Sequence, residues 1–276
     1  MDTDIKGWSV KSHCINCMAS RSLAPELMME SDGQSVFHRQ PQTNEEITAA
    51  WRAVQVCPVG AVKPPKDQPS PNSLFPEELG GEVYRLGHNT TKSYGAHSYF
   101  VNAGPTRLMV DGPAWSSGLV EWIEKRGGLD HILLTHKDDV GDTERYADRF
   151  GAEVWIHEAD ADSAPFASKI IGDRVPSAIP EIEVLPLPGH TRGSVGYLYA
   201  GETLFTGDTL AWDDHAKMLR GYRQFCWFDW STQIDSIASL QGAGITTILA
   251  GHGGSITLTV EEMDREIENL VSREQS

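Results

Sequence analysis

The sequence predicts a layered α/β protein preceded by a small α+β domain. Three observations carry this reading. The first sixty residues hold three of the four cysteines, Cys14, Cys17 and Cys57. A proline-rich stretch, Val62-Lys63-Pro64-Pro65-Lys66-Asp67-Gln68-Pro69-Ser70-Pro71, then breaks the pattern. Beyond it, early strand-like runs give way to alternating strands and helices, the mark of a mixed α/β layering.

In the first segment, Thr43 or Asn44 can cap a helix over Asn44 to Val56. Glu45 and Glu46 suit its first turn, and Ile47, Ala50, Trp51 and Val54 form its apolar stripe. Ser35 to Phe37 reads as a short strand. Prolines keep 62–80 extended and forbid a helix there. The boundaries expected are therefore a small domain over 1–62, a linker over 63–80 and a main domain over 81–276.

In the main domain, Glu82–Leu86, His97–Asn102 and Arg107–Asp111 read as strands. Trp115–Lys125 reads as a helix with Leu119, Trp122 and Ile123 on its apolar side. His131–Thr135 is a short buried strand. Asp142 can cap a helix that runs through Phe150. Glu153–His157, Ile182–Leu185, Val195–Tyr199, Thr203–Phe205 and Thr246–Leu249 are further strands. Trp230–Leu240 and Val260–Val271 read as helices.

The chain has 276 residues, 39% of them hydrophobic, which is enough for one large domain and one small one. No apolar run reaches membrane-spanning length. Met1–Lys6 lacks the charged-then-apolar layout of a secretory leader, so a cytoplasmic location is the default. The formal charge of −16 would repel phosphates and argues against a nucleic-acid partner. Oligomeric state is not legible. Four cysteines in such a chain point to metal or redox chemistry rather than disulfides.

Four separated segments end in residues suited to holding a metal. They are Leu134-Thr135-His136-Lys137-Asp138-Asp139, Pro188-Gly189-His190-Thr191, Phe205-Thr206-Gly207-Asp208-Thr209 and Ala250-Gly251-His252-Gly253. Each follows a strand-like run, where loops on a rigid scaffold carry chemistry. A lone His after a strand is more often structural, and Gly-Asp-Thr alone is more often a turn. Four in this order outweigh those readings. Imidazole with carboxylate suits zinc, iron or manganese.

In this order the segments resemble the metallo-β-lactamase superfamily, whose signature is H-x-H-x-D-H, then P-G-H-T, T-G-D and a late G-H. The resemblance implies a four-layer αββα sandwich with the site at one edge. It implies one or two divalent metals held by His136, Asp138, His190, Asp208 and His252. Asp138 stands where the usual second His would be, and a carboxylate there shifts preference from zinc toward iron or manganese. Asp142 and Asp139 are further candidates for a second metal. Asp142 reads equally as a helix cap, and Asp139 as an outer acceptor. Without a gap, Val140 and Gly141 fall at the remaining ligand positions, so a single metal or an uneven pair is expected. Asp111 resembles the buried Asp that braces the ligand loops. His157 reads as structural, and neither His97 nor His215 is assigned to the pocket. Phe225, Trp227, Phe228 and Trp230 read as packing under a loop, with a pocket wall as the alternative.

Cys14-Ile15-Asn16-Cys17 with Cys57-Pro58 resembles a single-cluster ferredoxin. Such modules occur fused ahead of metallo-β-lactamase domains, in a group that carries H-x-D-D-V-x-D-H. Here Thr143 stands for its final His. Ser20 occupies the third Cys position of C-x-x-C-x-x-C. That leaves three outcomes open: a 4Fe-4S cluster with Ser20 as ligand, a 3Fe-4S cluster on three cysteines, or a packing module without a cluster. The activity implied is a metal-dependent hydrolase of a small ester, thioester, amide or phosphoester, with Asp208 catalytic. The alternatives are an iron oxidoreductase served by an electron-transfer partner, and a binding protein that has lost its sites.

Overall fold

The computed structural model describes residues 7–172 and 179–275. Met1–Lys6, on which the leader reading rests, lie outside the described residues.

The first module forms around Trp8, Leu27, Met28, Trp51 and Val62, all buried. Trp8 and Trp51 meet edge to face at 5.3 Å. The helix Asn44–Val56 starts with a full capping box, Thr43 and Glu46 each bonding the other's backbone N–H. Its end delivers Cys57 as the C-cap residue. Met28–Ser31 pairs antiparallel with Gln34–Phe37 across Asp32-Gly33, both at positive φ, as a two-residue hairpin turn demands. Ser9–Val10 pairs with Val62–Lys63 and closes the module.

The stretch 63–80 is not a free linker. Phe75 is buried against Cys17 and Val56, and Leu74 packs beside it. Glu77–Gly80 pairs with Val83–Arg85 as an edge strand. Proline excludes a helix but tolerates an edge strand, so the expected boundary ran four residues too far. Glu77 pairs with Arg85 at 2.8 Å and with Arg52, on the first module's helix, at 3.2 Å.

Two sheets make the main domain. The first has seven strands in the order Lys169–Ile171, Glu153–His157, His131–Leu133, Thr106–Val110, Tyr99–Ala103, Val83–Arg85 and Glu77–Gly80. The second has five: Ile182–Pro186, Val195–Tyr199, Thr203–Gly207, Thr247–Ala250 and Ile256–Thr257. Period-two alternation sends Tyr99, Val101, Leu108 and Val110 inward, against Val195, Tyr197, Phe205 and Leu249 of the other sheet. Phe100 and Met109 point outward to the helices Ser117–Glu124 and Thr143–Phe150. Leu198, Leu204 and Ile248 face the helices Trp230–Ala238 and Val260–Glu274. Helix, sheet, sheet, helix is the expected four-layer sandwich.

Strand and helix ends differ from expectation by one to three residues. The helix expected from Trp115 begins at Ser117, because the Ser116 hydroxyl accepts the Leu119 N–H. The edge strand Lys169–Ile171 and the hairpin Ala211–Asp213/Met218–Arg220 were not anticipated. Each strand is three residues long, too short for a periodic signal. No helix among the described residues is long and apolar enough to cross a membrane.

Candidate metal centre

The strand His131–Leu133 ends and the chain turns outward through Thr135 to His136. Asp111, at the end of the neighbouring strand, accepts the Thr135 N–H at 2.8 Å and the Thr135 hydroxyl at 3.0 and 3.1 Å. With its proton committed to Asp111, the Thr135 oxygen accepts from His136 Nδ1 at 2.9 Å. His136 Nε2 is therefore bare, and it is buried without a hydrogen-bond partner. Gly207, at φ 50°, runs close by, and a Cβ there would lie 2.5 Å from the Thr135 hydroxyl. Only glycine lets the Thr206-Gly207-Asp208 turn approach this brace.

Asp208 Oδ2 is the focus of three imidazoles. It lies 3.8 Å from His136 Nε2, 3.7 Å from His190 Nε2 and 3.8 Å from His252 Nε2. Asp138 Oδ2 lies 3.4 Å from His190 Nε2 and 4.0 Å from His136 Nε2. Two ligands about 2.1 Å from one ion sit roughly 3–4 Å apart, so these separations suit shared coordination. Two sets have ligand atoms within 4.8 Å of one another: His136, Asp138 and His190, and His136, Asp139 and Asp208.

Charge and burial also fit a cation. Both oxygens of buried Asp139, Oδ1 of Asp208 and Nε2 of His190 have no hydrogen-bond partner. Burial, with Asp208, Asp111 and Asp138 nearby, pushes the Asp139 carboxyl well above its ordinary range. Burial also pushes Asp111 up to about 8. Burial lowers His136 to about 4, so it is neutral and ready to ligate. For His190 burial acts downward, but Asp138 and Asp208 outweigh it and raise its pKa. Unpartnered buried carboxylates facing imidazole nitrogens are what a divalent ion would satisfy.

Asp142 is not brought to this cluster. Its carboxylate accepts the Trp115 N–H at 2.8 Å and pairs with Lys92 at 2.5 Å. Nor does its side chain cap the helix Thr143–Phe150, although it occupies the N-cap position. The register places buried Asp139, three residues after His136, where the second acidic ligand was sought further on.

A cleft of about 620 Å³ opens over the cluster, walled by Cys17, Met18, Lys137, Tyr222, Phe225 and Trp227. The aromatic group divides: Phe225 and Trp227 face the cleft, while Trp230 packs under the second sheet. His157 is buried and caps the following turn through the Ala159 N–H. His97 is buried outside the cleft, and His215 bonds the Met28 carbonyl at 3.1 Å. Sequence reasoning missed Tyr222, Lys137 and Asp160. Asp160 accepts from Lys137 N at 3.1 Å, Gly193 N at 3.3 Å and the Thr191 hydroxyl, so one buried carboxylate ties two ligand loops. It lies in the short 3₁₀ helix Glu158–Ser163, too short for a periodic signal to flag it.

In the cysteine loop, Cys14 Sγ accepts the Asn16 N–H at 3.4 Å and Cys57 Sγ accepts the Ala61 N–H at 3.1 Å. Burial pushes the Cys17 thiol up to about 11, opposed by the Ala19 N–H. Backbone donors aimed at sulfur suit bound thiolates. Ser20 is buried, and its hydroxyl donates to the Ala53 carbonyl at 2.8 Å. Cys14, Cys17 and Cys57 are thus the residues that would hold an iron–sulfur group, while Ser20 is turned to the helix.

Residues 10–63 match the family described as the 4Fe-4S single cluster domain of Ferredoxin I. The hydroxyacylglutathione hydrolase of Acidiphilium cryptum is 33% identical over 119 residues, 41% of this chain and 49% of that protein. That of Methylobacillus flagellatus is 36% identical over 108 residues, 37% of this chain and 42% of that protein. The chain thus spans about half the length of the curated relatives it matches. Among solved structures, VMB-1 superposes with a TM-score of 0.54 at 18% identity, over 70% of this chain and 95% of that one. The DIM-1 metallo-β-lactamase gives 0.53 at 18%, over 70% and 96%. ETHE1 from Myxococcus xanthus gives 0.50 at 22%, over 69% and 84%. These three show the fold. The chain therefore has the metallo-β-lactamase fold, is similar to hydroxyacylglutathione hydrolases over about two-fifths of its length, and matches a 4Fe-4S single-cluster ferredoxin domain over residues 10–63.

Proposed function

We propose that the chain is a metal-dependent hydrolase acting on an acyl bond of a small molecule, with a thioester as the first class to test. The observation that carries this is the convergence of three imidazole nitrogens on the Asp208 carboxylate beneath an open cleft. The hydroxyacylglutathione hydrolase relatives motivate the thioester. When bound, a divalent metal lowers the pKa of a coordinated water and polarises the acyl oxygen.

His136, Asp138 and His190 would hold a metal on one side of Asp208, and His252 with Asp139 would hold a second on the other, with Asp208 between them. Asp208 stands between the imidazoles and orients the attacking water. Asp138, half-exposed at the cleft floor, accepts its hydrogen bond; nearby His190 keeps this carboxyl ionised by lowering its pKa. Tyr222 keeps its proton, because burial pushes its phenol up to about 12, and it offers a donor from the cleft wall. Met18, Phe225 and Trp227 exclude water from the apolar part of the substrate.

The test is hydrolysis of a hydroxyacylglutathione by metal-loaded protein and by its His190→Ala variant. Turnover that survives loss of the metal in the variant would sink this reading.

A second reading, electron transfer from a cysteine-held cluster to iron in the main domain, has one observation behind it. The Cys17 carbonyl is hydrogen-bonded to His252 at 3.0 Å. Zinc as the main-domain metal, with iron at the cysteines that dithionite cannot reduce, would count against it.

A further inference from the structure

We infer that the cysteine module is a working part of the metal centre: the Cys17 carbonyl orients His252, and metal held on the His252 side depends on the Cys14–Cys17 loop being locked by its own metal group. This rests on the metal-centre reading above and concerns the regulation of that site.

A carbonyl can only accept, so His252 Nδ1, 3.0 Å from the Cys17 oxygen, carries the proton. Nε2 is then the nitrogen left to ligate, and it is the atom that faces Asp208. Imidazole ligands are commonly oriented by such a partner, and losing it weakens metal binding by roughly 10–100-fold. For His136 and His190 the partners, Thr135 and the Phe225 carbonyl, belong to the main domain. For His252 the partner belongs to the residue expected to ligate iron in the other module.

The loop that presents this carbonyl is strained. Asn16 and Met18, on either side of Cys17, have φ of 56° and 68°, and neither is glycine. This region is disfavoured for a residue with a Cβ, more so for Met18 than for Asn16, and it persists where the surroundings enforce it. The Asn16 N–H reaches Cys14 Sγ at 3.4 Å and the Ser22 N–H bonds the Met18 carbonyl at 3.0 Å. Arg21 bonds the Asn16 side chain, and the Tyr94 hydroxyl donates to the Ile15 carbonyl. Gly95 packs on Cys17, where a Cβ would lie 2.8 Å from Sγ. A metal group held by Cys14, Cys17 and Cys57 would add a further constraint on this loop. A second tether runs beside the first. His97 donates its N–H to the Gly251 carbonyl at 2.8 Å, and its Nε2 meets the Ser22 hydroxyl at 3.0 Å. The residue before His252 is thus tied to the same module.

The test is a manganese(II) titration of the full chain, followed by electron paramagnetic resonance. The protein is purified without oxygen, with its cysteine-bound iron retained and the main-domain metal removed. Manganese is used because thiolates bind it poorly. Cys14→Ala removes a cysteine ligand without touching the cleft or His252. We expect it to weaken one class of bound manganese tenfold or more and to leave the other within twofold. His252→Ala should weaken the same class, and the double variant should lose no more than His252→Ala alone. Tyr94→Phe, which keeps every cysteine, should weaken that class several-fold. Manganese affinities unchanged in Cys14→Ala, or losses that add in the double variant, overturn the coupling while the metal-centre reading stands. Equal loss of both classes with a lower melting temperature also overturns it. No manganese bound by the wild type overturns both. If Cys14→Ala does not fold, Cys57→Ala makes the same test from outside the loop.

Discussion

On one side of the candidate metal centre, His136 leans on Thr135 and through it on buried Asp111, within one sheet. On the other side, His252 leans on the carbonyl of Cys17, from a different module. The first brace forms wherever the main domain folds. The second exists only when two modules are docked and a strained loop keeps its shape. The comparison teaches that a ligand's side chain can sit in one domain while its orientation is determined by another.

The largest expected effect comes from the residue both sides share. Asp208→Ala removes the carboxylate that all three imidazoles face. We expect hydrolysis to fall by more than ~100-fold, beyond the cost of losing an outer partner alone, with metal content by mass spectrometry falling alongside. Retained metal would show that the imidazoles hold it without the bridge.

Thr135→Val probes the His136 brace alone. It keeps the side-chain shape and deletes the hydroxyl between Asp111 and His136. A 10–100-fold loss of metal affinity is expected, confined to the class that survives Cys14→Ala. Loss of both classes together would collapse the distinction between the sides.

pH sharpens the contrast in the metal-free protein. Asp111 is pushed up to about 8, and Asp139 and His190 are also raised, so between pH 6.5 and 8 the folded state holds protons that the unfolded chain has largely released. Stability from these groups is therefore present at lower pH and lost as pH rises through that window. His136, lowered to about 4, opposes this trend near pH 6.5, where the unfolded imidazole still holds some proton, and its contribution fades toward pH 8. The metal-free melting temperature should fall from pH 6.5 to 8, and added metal should raise it more at pH 8. A flat profile would mean the carboxylates are already ionised and solvated.

The smallest effect belongs to Asp142→Ala. The Trp115 N–H bond is lost, at about 1 kcal/mol, and the Lys92 pair, exposed on the lysine side, adds little. Metal content should not change. A metal loss would return Asp142 to the site.

Legibility in the sequence follows the same division. Tyr99, Val101, Leu108 and Val110 alternate with outward Phe100 and Met109, so the layers could be read from periodicity. His136, His190, Asp208 and His252 could be read because each ends a strand-like run in a recognisable order. The register after Asp138 could not be read, since spacing alone does not say whether Asp139 or Asp142 turns inward. Burial decides that, and burial of Asp139 depends on Gly251 and Asp208 arriving from the other sheet. Asp160 and the Cys17–His252 bond were invisible for the same reason, since both join segments far apart in the chain. Ser20 was visible as a missing cysteine, but its bond to Ala53 needed the helix in place.

The most direct measurement is metal and acid-labile sulfide per chain in full-length protein purified without oxygen, compared with the same protein carrying His136→Ala and His190→Ala together. The account predicts at least one divalent metal that the double variant loses, while cysteine-bound iron and sulfide stay unchanged. Equal metal in both proteins, or none in the wild type, would contradict it.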